Sequence, residues 1–352
     1  MTDGLIDQSE PLLSNEPSVA LATLVAATGS TSKKVGTKMI VGESGRLIGG
    51  VTIGGCVDAQ VVEAADALLE TGGRRVLSIS LDDDEAWEIG LTCGGTVDVL
   101  IERVNVHDIV DPVAAAHVAA RASLARGESA VIATPLDGEP AALVLSEAGA
   151  RHGTLGDAAL DDAAAAIAVD VMAGGSRIAP IEKAGATRQY FFDRQSPPTT
   201  VVIIGAGQIA MSLTRMAREL DMRTIVVDGR ERYATRERFP DADEIRVGMP
   251  SEIVAAIAPT KRVAVVLIAH DYKYELPVLR ALLRSPVGYI GMLGSRKRGD
   301  AVRALLSEEG FTDEELARIH TPIGLDIGGK SPPEVAVSIL GELVAVRSGK
   351  RA

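Results

Sequence analysis

Cysteine is scarce in this sequence, which has only two, Cys56 and Cys93, among 352 residues. Two cysteines in a large chain without a signal peptide indicate free thiols in a reducing cytoplasm. The first residues, MTDGLIDQSEPLL, are acidic and do not contain the apolar core of a signal peptide. No apolar run reaches the roughly 20 residues that a membrane span requires. We therefore expect a cytoplasmic protein that does not cross a membrane.

Basic and aromatic side chains are also in short supply. The 36 Lys and Arg residues are outnumbered by 48 Asp and Glu residues, which gives a net charge of −12. Binding to nucleic acid regardless of sequence needs clustered Lys and Arg, so this charge argues against that class of function. Aromatic residues make up only 3% of the chain. The cores must therefore be aliphatic and rich in alanine, and the length is sufficient for two domains.

The first part of the chain mixes strand-like and helical segments. Two strand-like runs flank the turn residues Glu43, Ser44 and Gly45, and a helical pattern of apolar residues begins at Cys56 and stops at Gly72. Residues 106–195 are harder to assign, although 129–149 has the pattern of a hairpin. We attach them to the first domain and predict a mixed α+β domain over residues 1–195.

The second part has a regular pattern. After the polar, proline-containing linker DRQSPPTT, strand-like segments such as VVIIG, TIVVD and VAVVLIA alternate with helix-like segments. Such alternation predicts a parallel sheet with helices on both faces. The fold class is therefore α/β, with a C-terminal Rossmann-type parallel-sheet domain over residues 196–352.

A dinucleotide-type fingerprint follows the first strand of this domain. VVIIGAGQIA carries Gly205, Gly207 and Ala210 in the spacing G-x-G-x-x-G/A, at the point where a strand turns into a helix. The glycines permit a tight turn and a close approach of backbone to a phosphate, and the helix N-terminus attracts an anion. Asp228 ends the next strand, where an acidic side chain typically accepts hydrogen bonds from a ribose. We predict a nucleotide-type phosphate site here.

Two further loops are expected at the same edge of the sheet. His270 and Asp271 follow the strand VAVVLIA, and Ser295 and Arg296 stand at a helix start. Ser295 as the cap and Arg296 as a bidentate donor suit a phosphate, whereas His270 is as well explained by a structural role. The segment GLDIGGKS, 324–331, matches the P-loop pattern, but no clear strand precedes it and a capping box explains it better.

The cysteines lie in two glycine-containing loops. Cys56 follows Gly54 and Gly55 at the expected start of a helix, where a thiolate is stabilised, and Cys93 precedes another glycine pair. Two thiols without histidines at ligand spacing are too few for a structural zinc site. From these residues alone, both cysteines are better explained as small buried side chains in tight turns.

The chain resembles the XdhC/CoxI family of accessory proteins for molybdenum hydroxylases. The likeness covers nearly all of both domains outside residues 106–195 and consists of several distinctive segments in the same order. In the first domain these are GSTSKKVGTKMIVGESGRLIGGVTIGGCVDAQVVEAA and LTCGGTVDVLIE. In the second they are VVIIGAGQIA, VVDGRERYA, RFPDAD, AHDYKYELPVLRALL, GYIGMLGSRKR and PIGLDIGGKSPPEVAVSILGEL. The chain departs from the family at one position, where it has Gln208 and the family often has histidine.

The resemblance implies a chaperone that binds the molybdenum cofactor, a molybdopterin with or without a nucleotide, and assists its sulfuration and insertion. The implied partners are an apo-hydroxylase of the xanthine or CO dehydrogenase type and a cysteine desulfurase. Because a ligand of this size is usually buried in a cleft, we also predict a homodimer or a site between the two domains. Cys56 and Cys93 would handle the sulfurated cofactor, with Cys56 facing the metal. The predicted cofactor-binding residues are Gly205, Gly207, Gln208, Ala210, Asp228, Arg230, His270, Asp271, Ser295, Arg296, Gly54 and Gly55.

Two other functions are compatible with the residues. The first is an NAD(P)-dependent oxidoreductase that uses the Rossmann domain, although no proton-transfer pair beyond His270 and Asp271 accompanies the fingerprint. The second is a regulatory protein that senses a nucleotide. Bound pterin and molybdenum, nicotinamide turnover, or ligand binding with neither would distinguish the three.

Overall fold

The computed structural model describes residues 16–29, 34–51, 55–80, 95–108, 110–183, 185–269 and 271–350. The chain divides into two compact units, Met1–Pro197 and Pro198–Ala352. The first contains two antiparallel sheets and the second a parallel sheet. Each unit has its own aliphatic cores, as the scarcity of aromatic residues predicts.

The first antiparallel sheet has the strand order β3-β2-β1-β5-β4. Its strands are β1 (Ser18–Ala27), β2 (Lys38–Gly42), β3 (Leu47–Gly49), β4 (Arg74–Ser80) and β5 (Thr96–Asn105). Alternate residues of β1, Ala20, Ala22 and Leu24, pack in one core with residues of helix α1 (Gly55–Thr71). Strands β2 and β3 form the hairpin that was predicted around Glu43–Gly45.

The second antiparallel sheet lies in the part of the chain that the sequence pattern left poorly assigned. Its order is β8-β7-β6-β10-β9. The strands are β6 (Ala130–Pro135), β7 (Ala142–Ser146), β8 (Arg151–Thr154), β9 (Arg177–Lys183) and β10 (Ala186–Gln195). Helix α2 (Pro112–Ala125) packs with one set of alternate strand residues and α3 (Ala158–Gly174) with the other, so the helices cover opposite faces. The predicted hairpin over 129–149 is confirmed as β6 and β7.

A buried ion pair joins the two antiparallel sheets. Lys38 of β2 lies with its Nζ 2.5 Å from Oδ2 of Asp193 in β10, and both side chains are about 95% buried. The Asp193 carboxylate also accepts hydrogen bonds from Ser176 and Gln195. Burying two charges is costly unless their hydrogen bonds are satisfied, and these added donors meet that condition for the carboxylate.

The second unit is a six-stranded, all-parallel sheet of order β13-β12-β11-β14-β15-β16, which confirms the predicted Rossmann-type fold. Its strands are β11 (Thr200–Ile204), β12 (Arg223–Asp228), β13 (Glu244–Val247), β14 (Val263–Leu267), β15 (Tyr289–Met292) and β16 (Ile319–His320). Its helices are α4 (Gln208–Glu219), α5 (Pro250–Ile257), α6 (Tyr272–Leu282), α7 (Arg296–Glu308), α8 (Asp313–Ala317) and α9 (Pro332–Arg347).

Two cores cover the faces of this sheet. Helices α4 and α9 pack on one face, and α5, α6 and α7 pack on the other. The chain leaves β11 towards β12 and later returns to pair β14 on the opposite side, so the strand order reverses at β11. Ligands of open parallel sheets bind beyond the carboxyl ends of the strands at this point of reversal. Among the residues that the structure describes, no helix is long and apolar enough to cross a membrane.

Candidate phosphate-binding site

Gly205 makes the turn at the end of β11. It has φ +113, a conformation that side chains other than glycine rarely adopt. A Cβ added here would lie 2.9 Å from both the N and the Cα of Ala269, in the loop after β14. Glycine is therefore required by the packing of two neighbouring loops, and this close approach draws the ends of β11 and β14 together.

Gly207 caps the N-terminus of α4 and serves a different purpose. Its φ is −87, which any residue can adopt, and a Cβ added here meets no described atom within 4 Å apart from its chain neighbours. Gly207 and Gln208 are exposed, while Ala210 is fully buried in the core beneath them. The first backbone N–H groups of a helix have no intrahelical acceptor, so an anion can approach this open turn.

Asp228 at the end of β12 closes the other side of the turn. Its Oδ2 accepts a hydrogen bond of 2.8 Å from the backbone N of Ala206, and its side chain is almost fully buried. Both carboxylate oxygens are also bound by Arg230, through Nε at 2.9 Å and Nη2 at 2.8 Å. Burial alone would raise the pKa of Asp228. The hydrogen bonds from Arg230 and Ala206 lower the pKa by more than burial raises it, so the net shift is downward. The carboxylate is therefore charged at neutral pH.

The side chain of Arg230 lies over an aromatic ring. Its guanidinium carbon lies 4.0 Å from the centre of the Tyr233 ring, and the guanidinium carbon of Arg238 lies 5.2 Å from the same centre. Tyr233 is 45% exposed. The hydroxyl group of Tyr274 approaches Gly229, where an added Cβ would lie only 2.9 Å from it. Arginine and tyrosine side chains of this kind suit a ligand that has both a negative group and a flat ring.

Three of the remaining predicted residues, Asp271, Ser295 and Arg296, lie at the same carboxyl edge of the sheet. Asp271 caps α6, where its Oδ1 accepts a hydrogen bond of 2.9 Å from the backbone N of Lys273. Ser295 caps α7, accepting from the backbone N of Arg298 at 3.3 Å, and Arg296 is exposed in the first turn. His270 lies outside the described residues. Asp271 and Ser295 thus have structural roles as helix caps, and their predicted contact with a cofactor stays a prediction.

The side chain of Arg298 binds another part of the protein and is not free in solvent. It is hydrogen-bonded through Nη2 to Glu275, a fully buried carboxylate of α6, and its guanidinium carbon lies 4.4 Å from the centre of the Tyr272 ring. These contacts fasten α7 to α6. Arg296 is consequently the exposed arginine of this turn, whereas Arg298 is committed to the protein.

The structure describes only part of the two glycine–cysteine loops of the first unit. Helix α1 begins at Gly55, so the backbone of Cys56 lies in its first turn. Gly54, Cys93 and the side chain of Cys56 lie outside what the structure describes. Within the described ranges, no group of three or more His, Cys, Asp and Glu side chains is arranged to hold a metal ion. The proposed roles of both thiols therefore stay predictions.

The P-loop-like segment at 324–331 forms a helix cap, as the sequence analysis favoured. Ser331 and Glu334 form a capping box at the start of α9, with Pro332 in the first turn. Hydrogen bonds from the backbone N–H groups of Ser331 and Lys330 lower the pKa of Glu334 to about 2. Because the glutamate side chain occupies these N–H groups, they are not available to cradle a phosphate.

A buried cluster that the sequence analysis missed lies at the edge of this sheet. Glu342 of α9 accepts hydrogen bonds from Tyr289 Oη at 2.5 Å and from the backbone N of Gly324 at 2.7 Å. Its other oxygen lies 2.9 Å from Nδ1 of His320. The cluster combines three separate parts of the chain, Tyr289, 320–324 and Glu342, so no local pattern indicates it. The arrangement fastens strand β16 and the following loop to α9.

We expect Glu342→Gln to lower the free energy of unfolding by about 2 kcal/mol, because hydrogen bonds to a buried carboxylate are worth more than those to an amide. Burial raises the pKa of Glu342, but the hydrogen bonds from His320, Tyr289 and Gly324 give a net downward shift. The stabilisation is therefore present above the ordinary carboxyl pKa of about 4.3 and disappears as the pH falls through the lower pKa of the folded state.

Urea unfolding of the wild type and the variant at neutral and at acid pH measures this effect. Glu309→Gln is the matched control, because Glu309 pairs with Arg280 on the surface. That change should cost much less than Glu342→Gln, because an ion pair exposed to solvent contributes little to stability. Equal losses for the two variants at pH 7 would contradict the assignment of Glu342 as a buried support.

Two family models match the chain. The model described as the XdhC Rossmann domain matches residues 201–343, and the model of the XdhC and CoxI family matches residues 12–80. The first covers the whole of the turn described above, from Gly205 to Arg230. The second covers the helix start at Cys56.

Similar proteins match over nearly the full length. A probable xanthine dehydrogenase subunit from Bacillus subtilis is 27% identical over 340 residues, which is 96% of each chain. The molybdenum cofactor insertion chaperone PaoD of Escherichia coli is 24% identical over 340 residues, 96% of this chain and 86% of its own. The crystal structure of a xanthine dehydrogenase from Bacillus halodurans, 23% identical, has a TM-score of 0.79 and covers 98% of this chain and 96% of its own. That structural likeness supports the fold.

Proposed function

This chain belongs to the XdhC and CoxI family, and on that premise we propose that it is an accessory protein of molybdenum hydroxylases. It binds the molybdenum cofactor as its cargo and delivers it to an apo-hydroxylase of the xanthine or CO dehydrogenase kind. The similarity to a molybdenum cofactor insertion chaperone over 96% of this chain supports this role.

The observation that carries the proposal is the open turn at Gly207. A molybdopterin ends in a phosphate, either alone or joined to a nucleotide. The turn offers the unpaired N–H groups of a helix start to such a phosphate. The space in front of them is open because Gly207 has no side chain to fill it. The arginine and tyrosine side chains beside it suit the rest of such a ligand. The donor set therefore fits the phosphate end of the cargo.

The finer parts of the proposal concern the metal end. Cys56, in the first turn of α1, supplies a soft thiolate for a sulfur-bearing molybdenum centre, and Cys93 assists it. Sulfur reaches the cofactor from a cysteine desulfurase. The protein works in the cytoplasm as a homodimer, since twofold symmetry is the most common arrangement of soluble oligomers.

The test is the state of the hydroxylase in a host that lacks this protein. We expect the hydroxylase polypeptide to be made but to contain little molybdenum cofactor, and we expect the wild-type gene to restore it. A hydroxylase that is fully active and fully loaded without this protein would overturn the proposal. Turnover of NADH or NADPH by the purified protein with a reducible substrate would support the oxidoreductase alternative, for which the same Gly205 turn is suited.

A further inference from the structure

Asp228 has no room for another hydrogen bond. Its Oδ1 accepts from the backbone N and the Nε of Arg230, both at 2.9 Å, and its Oδ2 accepts from Ala206 N and Arg230 Nη2, both at 2.8 Å. A carboxylate offers about four lone-pair positions, and here each one faces a donor. The carboxylate that a Rossmann site uses to read a ribose is therefore already saturated.

This saturation changes which ligand the site favours. A ribose with free 2′ and 3′ hydroxyl groups would have to displace Arg230 from a bidentate, charge-assisted pair before it could donate to Asp228. The side chain of Asp228 is only 4% exposed, so its carboxylate would lose the charge of Arg230 without gaining full hydration. The free diol of an ordinary nucleotide is thus poorly matched to this site.

Arg230 still has N–H donors for a ligand, whereas the acceptor positions of Asp228 are all used. A guanidinium has five N–H donors, of which Arg230 uses Nε and one on Nη2 to bind Asp228. The others remain on a side chain that is 52% exposed and supported by the face of the Tyr233 ring. A planar fork with fixed geometry is the preferred partner of a phosphate. The shared bond to Asp228 also places this fork next to the Ala206 end of the phosphate-binding turn.

We propose that Arg230, held by Asp228, makes this site select a ligand with a phosphomonoester beside the turn over one with a free ribose diol. The inference deepens the proposed function, on which it rests for the identity of the cargo. Two ligands have this chemistry: a cofactor that ends in its own phosphate without a nucleotide, and a dinucleotide whose ribose is phosphorylated. Both present a dianion to the open edge of the guanidinium.

Binding of paired probes to the full-length protein tests the selection. The pairs are NADPH against NADH, which differ in a ribose phosphate, and riboflavin 5′-phosphate against riboflavin, which differ in a terminal phosphate. We expect at least one phosphorylated probe to bind about tenfold or more tightly than its partner, because one charge-assisted pair contributes that much. Preference in the first pair identifies a phosphorylated ribose, and preference in the second identifies a terminal phosphate.

The variant Arg230→Met should abolish the preference and should tighten the binding of NADH, because Asp228 is then free to accept from the ribose. Arg232→Met is the matched control, since it removes the same charge from an exposed position two residues along and should leave the ratios unchanged. The proposal is overturned if neither pair shows a preference in the wild type, or if Arg230→Met leaves both ratios as they were.

These outcomes are independent of the cargo assignment. The probe ratios depend only on Arg230 and Asp228, whereas the proposed function depends on loading of the hydroxylase. A preference for phosphomonoesters in a protein that the hydroxylase does not need would leave the selectivity intact and reject the accessory role. If the hydroxylase depends on this protein but no probe is preferred, the accessory role would stand and the selectivity would be rejected.

Discussion

Replacing Gly207 with valine should weaken cofactor or nucleotide binding by about 100-fold or more while the protein stays folded. The backbone at Gly207 has an ordinary φ of −87, and an added Cβ meets no described neighbour within 4 Å, so the folded chain has space for the side chain. That same space is where a phosphate must lie to reach the N–H groups of α4. The valine therefore competes with the ligand and not with the fold.

Gly205→Val is the matched contrast, because the same substitution two residues earlier should damage the fold itself. Gly205 has φ +113, and its added Cβ would lie 2.9 Å from backbone atoms of Ala269. We expect a loss of about 3 kcal/mol or more in the free energy of unfolding. Calorimetric titration and urea unfolding of both variants separate the two effects. Unchanged ligand affinity in a well-folded Gly207→Val protein would show that the turn does not hold the phosphate.

The second large effect is expected from Cys56→Ser. Serine keeps the size of the side chain and its hydrogen bonding but is a poor ligand for a sulfur-bearing metal. Because α1 begins at Gly55, residue 56 lies in the first turn, where the helix dipole and free N–H groups favour a thiolate. We expect the purified variant to fold normally and the partner hydroxylase to lose on the order of tenfold or more of its activity.

Cys93→Ser is the comparison for this experiment and should cause a smaller loss, because Cys93 precedes a strand in sequence and its thiolate gains no help from a helix. Thiol-labelling rates as a function of pH should show Cys56 reacting faster than Cys93 near neutral pH. Loss of hydroxylase activity with Cys93→Ser alone would reverse the assignment. Full activity with both variants would mean that the thiols are structural.

The fold of the second unit was predictable because its signals are local. The turn from Gly205 to Ala210 and the acidic residue at 228 belong to one strand–turn–helix–strand unit, and the alternation beyond it repeats the same unit. The second antiparallel sheet was not predictable in the same way. Strand β6 pairs β10, so that Ala130 lies opposite Gln195, and a sequence pattern carries no record of such distant pairing.

The candidate site also has features that local sequence predicts and features that it does not. Glycine and aspartate at fixed spacing predicted the strand–turn–helix geometry at Gly205, but the expectation that Asp228 accepts from a ribose depends on its side chain being accessible. The conformation of Arg230, which covers both oxygens, became visible only in the structure. The contact of Glu342 with His320 was equally hidden, because the two residues are 22 positions apart and meet across a sheet edge.

The most direct test of the account is the molybdenum and pterin content of the full-length protein purified from a host supplied with molybdate. The account predicts bound pterin and molybdenum in comparable amounts in the wild type, and neither in Gly207→Val, because the phosphate-binding turn holds the cargo. A folded wild-type protein that contains neither pterin nor molybdenum, or a Gly207→Val protein that retains both, would contradict it.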